Sequence, residues 1–228
     1  MMPFLLSIYD YSGNWSRPYM DAGWRVLRWD GQIEGDILER FSTIHHFVNE
    51  ENDGSVDGLL AAPPCTAFAS SGARWWYEKD AQGSGPGEPF ESETDYMVTL
   101  TRIVVLMVEL FKPKFWALEN PIGRIEKLCP ELKPYRRLVF NPCDYGDPYT
   151  KRTVLWGRFN PNLKPCPVEP IEKSKMHLLP ASKKRSKIRS ETPVGFAQAF
   201  FKANNKPNVI AGLMPQGERM PEQMRLFN

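Results

Sequence analysis

The chain lacks a charge excess of either sign, a closely spaced cysteine pair, a long unbroken apolar run and an internal repeat. Its 29 lysines and arginines face 27 aspartates and glutamates, a net charge of +2 over 228 residues. That balance excludes a uniformly basic nucleic-acid coat and leaves only a local basic patch. The four cysteines, Cys65, Cys129, Cys143 and Cys166, form no CxxC pair. No leader-like segment is read at the start, so a reduced, cytoplasmic compartment is expected, with no metal centre. The apolar runs are too short or too interrupted to span a bilayer.

What is present is enough for one sizeable core. The 21 prolines crowd between Pro113 and Pro170 and predict long loops in the second half. "FLLSIYDYSG" reads as a short buried strand ending in a turn at Gly13. A short helical piece and a strand, Arg25 to Trp29, follow and end at Asp30. "VDGLLAAPP" is a third strand and "KFWALENP" a fourth. Between them "YMVTLTRIVVLMVELFKP" has helical spacing, with Thr94 as its expected N-cap and Pro113 as its stop. The polar, Gly/Pro-rich stretch from Gly72 to Tyr96 reads as a mobile loop, and so long a loop is usually functional or disordered. "RRLVFNPCDYG" and "KRTVLWG" read as a further strand pair, and "TPVGFAQAFFKANN" as a late helix.

Strands alternating with helices predict an α/β fold with a mostly parallel sheet, where ligands bind beyond the carboxyl ends of the strands. Ser12-Gly13, Asp30, Cys65 and Glu119 all fall at such ends. A free cysteine is most often a small buried hydrophobe. Cys65, however, follows two prolines that fix the backbone and precedes Ser70-Ser71-Gly72, which keep the next turn open. Glu119 closes the apolar strand "FWAL" and is thereby partly desolvated, although it could simply cap a turn or pair with Arg124. A thiol nucleophile with a proton-donating carboxyl suits attack on an electron-poor ring.

These residues carry a resemblance. "PPCTAFASSG" and "KPKFWALENP" resemble the Pro-Cys and Glu-Asn motifs of the DNA cytosine-C5 methyltransferases, in that family's order and spacing. "CDYGDPYTKRTVLWG", "YDYSGNWSRPYMDAGWRV", "EGDI" and "TPVGFAQAF" resemble four further motifs of the family. The likeness covers most of residues 4 to 204 and is nearest to compact phage-encoded members. It implies a Rossmann-like, S-adenosylmethionine-dependent catalytic domain over residues 1–210, a short basic loop at 159–190 and a flexible tail at 211–228. It implies Cys65 as the nucleophile at cytosine C6 and Glu119 as the group at N3 and the amine. Lys151 or Arg152, the second preferred, would hold the base or a phosphate. Tyr11, Ser12, Gly13, Asp30, Asp36, Ile37, Pro64 and Tyr96 would hold the cofactor, although Asp36 also suits the N-cap of the helix "ILERF". The segment from Ala73 to Asp95 would close over a flipped base.

The sequence also departs from the family. The opening loop reads Gly13-Asn14-Trp15-Ser16, which puts a tryptophan where backbone is expected to approach the cofactor. Only Phe159 to Arg189 separates the third and terminal motifs, too little for a folded base-reading domain. Ser70, Arg74, Lys183, Lys184, Arg185 and Lys187 are therefore expected to contact nucleic acid, chiefly its phosphates, with low sequence specificity. Such an enzyme would shield phage DNA from restriction. The tail residues Gln223, Met224, Leu226 and Phe227 resemble the peptide by which bacterial proteins dock on the replicative sliding clamp. A monomer is expected. Two alternatives stand beside this reading: a C5 methyltransferase of RNA or a free cytosine nucleotide, and a catalytically poor DNA- or clamp-binding protein with the same fold.

Overall fold

The computed structural model describes residues 2–171 and 189–207. Six strands form one sheet: β1 (Phe4–Ile8), β2 (Arg25–Trp29), β3 (Gly58–Ala61), β4 (Phe115–Pro121), β5 (Arg136–Phe140) and β6 (Thr153–Arg158). Their order is β2-β1-β3-β4-β6-β5. The first four are mutually parallel, whereas β6 runs antiparallel between β4 and β5. The expected strand pair at residues 136–158 is therefore present, and it closes one edge of the sheet as an antiparallel unit.

Alternation along the strands builds two cores. Leu6, Leu59, Trp116, Leu118 and Trp156 face one side, where α2 (Ile37–Asn52) and α4 (Glu93–Phe111) cover them. Leu5, Leu60, Phe115, Ala117 and Leu155 face the other, under α1 (Arg17–Asp21) and α6 (Val194–Asn204). Strands this apolar on both faces are what a doubly covered parallel sheet requires. Asp36 caps α2, accepting from the Leu38 amide at 2.9 Å. Ser92, not Thr94, caps α4: its Oγ accepts from the Asp95 amide at 3.0 Å. Thr94 instead donates its hydroxyl to Asp80 at 2.6 Å.

The segment expected to be an open loop is partly helical. A 3-10 turn covers Ser70–Trp75 and leads into α3 (Trp76–Asp80). Ion pairs hold it: the Arg124 guanidinium grips both Asp80 oxygens, at 2.6 and 2.7 Å, and Lys79 pairs with Glu93. Glycine and proline punctuation dominates the sequence signal here, whereas the anchoring residue, Arg124, lies beyond the next strand. A further short helix, α5 (Ile125–Leu128), follows β4. Among the described residues no helix is long and apolar enough to cross a membrane.

Candidate active site

The order β2-β1-β3 reverses direction between β1 and β3, which opens a crevice at their carboxyl ends. Tyr11, Ser12 and Gly13 leave β1 on one side of it, and Pro64 and Cys65 leave β3 on the other. Two loops follow β3 and β4 here, and backbone bonds zip them together. Ala69 bridges Gly123, the Ser70 amide donates to the Ile122 carbonyl at 3.0 Å, and the Arg124 amide donates to the Phe68 carbonyl at 2.9 Å. Arg124 Nε adds a bond to the Ala67 carbonyl at 2.8 Å, and Asn120 Nδ2 one to the Pro63 carbonyl at 3.0 Å. The approach is so close that a Cβ on Gly123 would sit 1.9 Å from the Phe68 carbonyl oxygen. Residues 52 to 57 positions apart in sequence are thus fixed as one unit.

That unit presents Cys65 and Glu119. The Cys65 carbonyl accepts the amides of Phe68 and Ala69, closing a tight turn around the half-buried thiol. Burial pushes the Cys65 thiol up from its ordinary range; Lys151 and Arg189 pull it down, and Glu119 pushes it further up. Glu119 is 6 % exposed, and Lys151 Nζ donates to its Oε1 at 3.4 Å. Lys151 thus contacts the carboxylate and acts on the thiol as the compensating cation. Arg152, the cation preferred on sequence, is exposed, and its backbone carbonyl accepts the Ile122 amide at 3.0 Å. The contact of Lys151 with Glu119 is a long-range one that the sequence does not show.

Arg189 was not expected at the site. Its Nη2 donates to Ser71 Oγ at 2.9 Å, within electrostatic reach of Cys65. It belongs to the basic run by sequence, so composition alone gave it no distinct role. Lys183, Lys184, Arg185 and Lys187, together with Gln223, Met224, Leu226 and Phe227, lie outside the described residues.

The crevice widens into a cleft of about 760 Å³ lined by Tyr11, Ser12, Asn14, Gln32, Ile33 and Glu191. Tyr11 and Ser12 were expected there; Gln32 and Ile33 follow the expected Asp30. Gly13 has φ +70°, a left-handed turn that favours glycine. Trp15, expected to crowd the cofactor, points instead into the second core against Phe196 and Phe200. Asn14 Nδ2 ties the loop to the Thr192 carbonyl at 3.1 Å, which brings the terminal motif to the cleft. Asp30 is buried at the end of β2, where burial raises its carboxyl above the ordinary range. Its Oδ1 accepts the Gln32 amide at 2.9 Å, and among the described residues its Oδ2 accepts no hydrogen bond. Asp36 has both oxygens engaged, by the Leu38 amide and by the Tyr96 hydroxyl at 2.6 Å, and so serves first as a helix cap. Burial and this bond push the Tyr96 phenol up. Ile37 is buried beside them.

A cleft lined by Tyr11 and Ser12 and, at the end of β2, an available Asp30 oxygen suit a nucleoside-bearing cofactor such as S-adenosylmethionine. The class defined by the fold is a Rossmann-like α/β domain with four parallel strands and an antiparallel pair at one edge. No family model matches the chain. Over 136 residues it is 26 % identical to the type II methyltransferase M.DdeI of Desulfomicrobium norvegicum, covering 53 % of this chain and 28 % of that protein. The chain therefore spans under a third of that relative. Among solved structures it is similar to a putative DNA modification methyltransferase encoded within a prophage of E. coli (TM-score 0.39, 14 % identity, 68 % of this chain and 46 % of that one). It is also similar to a DNMT2 variant from Spodoptera frugiperda (0.40, 14 %, 75 % and 54 %) and to the methyltransferase EhMeth of Entamoeba histolytica (0.40, 14 %, 80 % and 61 %).

Proposed function

We propose that this protein is an S-adenosylmethionine-dependent methyltransferase acting on cytosine C5 in DNA. The observation that carries the reading is the single unit made of the Cys65 turn and the Glu119 strand end, with Lys151 bonded to Glu119. Cytosine C5 is too poor a nucleophile to take a methyl group unaided. Addition of the Cys65 thiolate to C6 turns C5 into an enamine carbon, while Glu119 holds N3 and the exocyclic amine as charge builds on the ring. Lys151 and Arg189 stabilise the thiolate against its burial. S-adenosylmethionine supplies an electrophilic methyl group to C5. Loss of the C5 proton then expels Cys65 and restores the aromatic ring.

Tyr11, Ser12, Gly13 and Asp30 are assigned to the cofactor. Asp30 Oδ2 accepts from a ribose hydroxyl, and Gly13 shapes the turn that carries Tyr11 and Ser12 to the cleft. Support for DNA as the substrate comes from the type II methyltransferase relative and from the basic run at 183–189. That run contacts phosphates rather than base edges, so low sequence specificity follows. Protection of a phage genome from restriction and clamp docking through the tail complete the reading on sequence grounds. Incubation with tritiated S-adenosylmethionine and DNA, RNA or dCMP tests it. Transfer to DNA that Cys65→Ala abolishes is the expected result; transfer only to RNA or dCMP, or to nothing, contradicts it.

A further inference from the structure

The 3-10 turn and α3 expose aromatic rings where the fold has no use for them. Tyr77 is 85 % exposed and Trp75 51 % exposed. Their neighbour Trp76 performs the packing role, with the Arg124 guanidinium 4.5 Å from its ring centroid. In a 3-10 turn, side chains three residues apart share a face, so Ser71 and Arg74 align, and Tyr77 follows in the first turn of α3. At its near end Arg189 is bonded to Ser71, beside Cys65. Arg74 lies 5.1 Å from the Trp75 ring centroid, a cation–π contact that orients that ring. The result is an exposed track of guanidinium groups and rings that starts at the nucleophile.

We propose that this track is a stacking platform for the unpaired bases next to the target, and that the preferred substrate is single-stranded DNA. The inference deepens the proposed function and rests on it for the identity of the polymer. Two observations favour an unpaired strand over a duplex. Exposed rings stack on bases whose faces are free, and arginines beside them hold phosphates, which is the chemistry of single-strand binding. The platform is held in place before any ligand arrives, by Arg124 on Asp80 and by the Ser70 amide on Ile122, so little order is lost when a base stacks. An unpaired cytosine also spares the cost of extraction from the stack.

Fluorescence anisotropy with a labelled cytosine-containing oligonucleotide, offered as a single strand and as a duplex, tests the proposal on the full chain. The single strand should bind at least about tenfold more tightly. Tyr77→Ala and Trp75→Ala should each weaken single-strand binding by roughly 5- to 100-fold, the range for one lost base stack, while Tyr77→Phe retains it. Both side chains are exposed, so thermal melting should be unchanged. Equal affinity for duplex and single strand, or variants that bind like the parent, overturns the platform. Methyl transfer measured in parallel keeps that failure distinct from failure of the proposed activity, which binding does not require.

Discussion

Lys151 Nζ lies 3.4 Å from Glu119 Oε1, and both groups act on the Cys65 thiol with opposite signs. The ammonium favours the thiolate, the carboxylate opposes it, and burial opposes it most. Lys151→Met should move the titration of Cys65 upward, and Glu119→Gln should move it downward. Iodoacetamide alkylation of Cys65 as a function of pH reads both. At neutral pH the Lys151 variant should react roughly tenfold more slowly for each pH unit of the shift, since only the thiolate reacts. Unchanged profiles in both variants would remove the assigned electrostatics.

A methyl group at position 123 should part the two catalytic loops. Gly123→Ala places Cβ 1.9 Å from the Phe68 carbonyl oxygen and 3.0 Å from the Ala69 Cα, both backbone atoms that cannot step aside. A stability loss of about 1–3 kcal/mol is expected from such overpacking, together with a large fall in methyl transfer. Thermal unfolding and the tritium assay measure the two effects.

Asp30→Asn should weaken S-adenosylmethionine binding by roughly 10- to 100-fold, the worth of a hydrogen bond to a charged group. Trp15→Phe should leave that affinity within about twofold, because the ring packs on Phe196 and Phe200 rather than lining the cleft. Isothermal titration calorimetry on both variants checks the pair. A strong cofactor defect in Trp15→Phe would put the tryptophan back in the site.

Alkaline pH should destabilise the fold through Cys129. Burial pushes this thiol up to about 12 from an ordinary value of 9.0. Above the ordinary value the unfolded chain loses the proton while the native state keeps it. The stabilisation is therefore complete below about pH 9 and is lost as pH rises towards 12. Urea melts across that window should show a falling midpoint, and Cys129→Ala should flatten the fall.

The strands were legible because each is an apolar run with a polar terminus, and those termini marked the crevice before any pairing was known. Tyr11, Ser12, Gly13, Asp30, Cys65 and Glu119 fall where that pattern places them. What escaped the sequence depends on long-range partners. Thr94 reads as a cap until Asp80 is seen beside it. Arg152 reads as well as Lys151 until the fold brings the Lys151 ammonium to Glu119. Trp15 reads as an obstruction until α6 supplies the aromatic cluster that absorbs it. Arg189 is one basic residue among several until Ser71 receives it.

The account's central claim is a covalent bond between Cys65 and cytosine C6. Oligonucleotides carrying 5-fluorocytosine, single-stranded and duplex, incubated with the protein and S-adenosylmethionine should trap that adduct, because fluorine at C5 blocks the step that expels the thiol. Mass spectrometry of the digested complex should place the nucleotide on Cys65, with no adduct in Cys65→Ala. No adduct with either oligonucleotide, or one on the half-buried Cys143 or the exposed Cys166, would contradict the account.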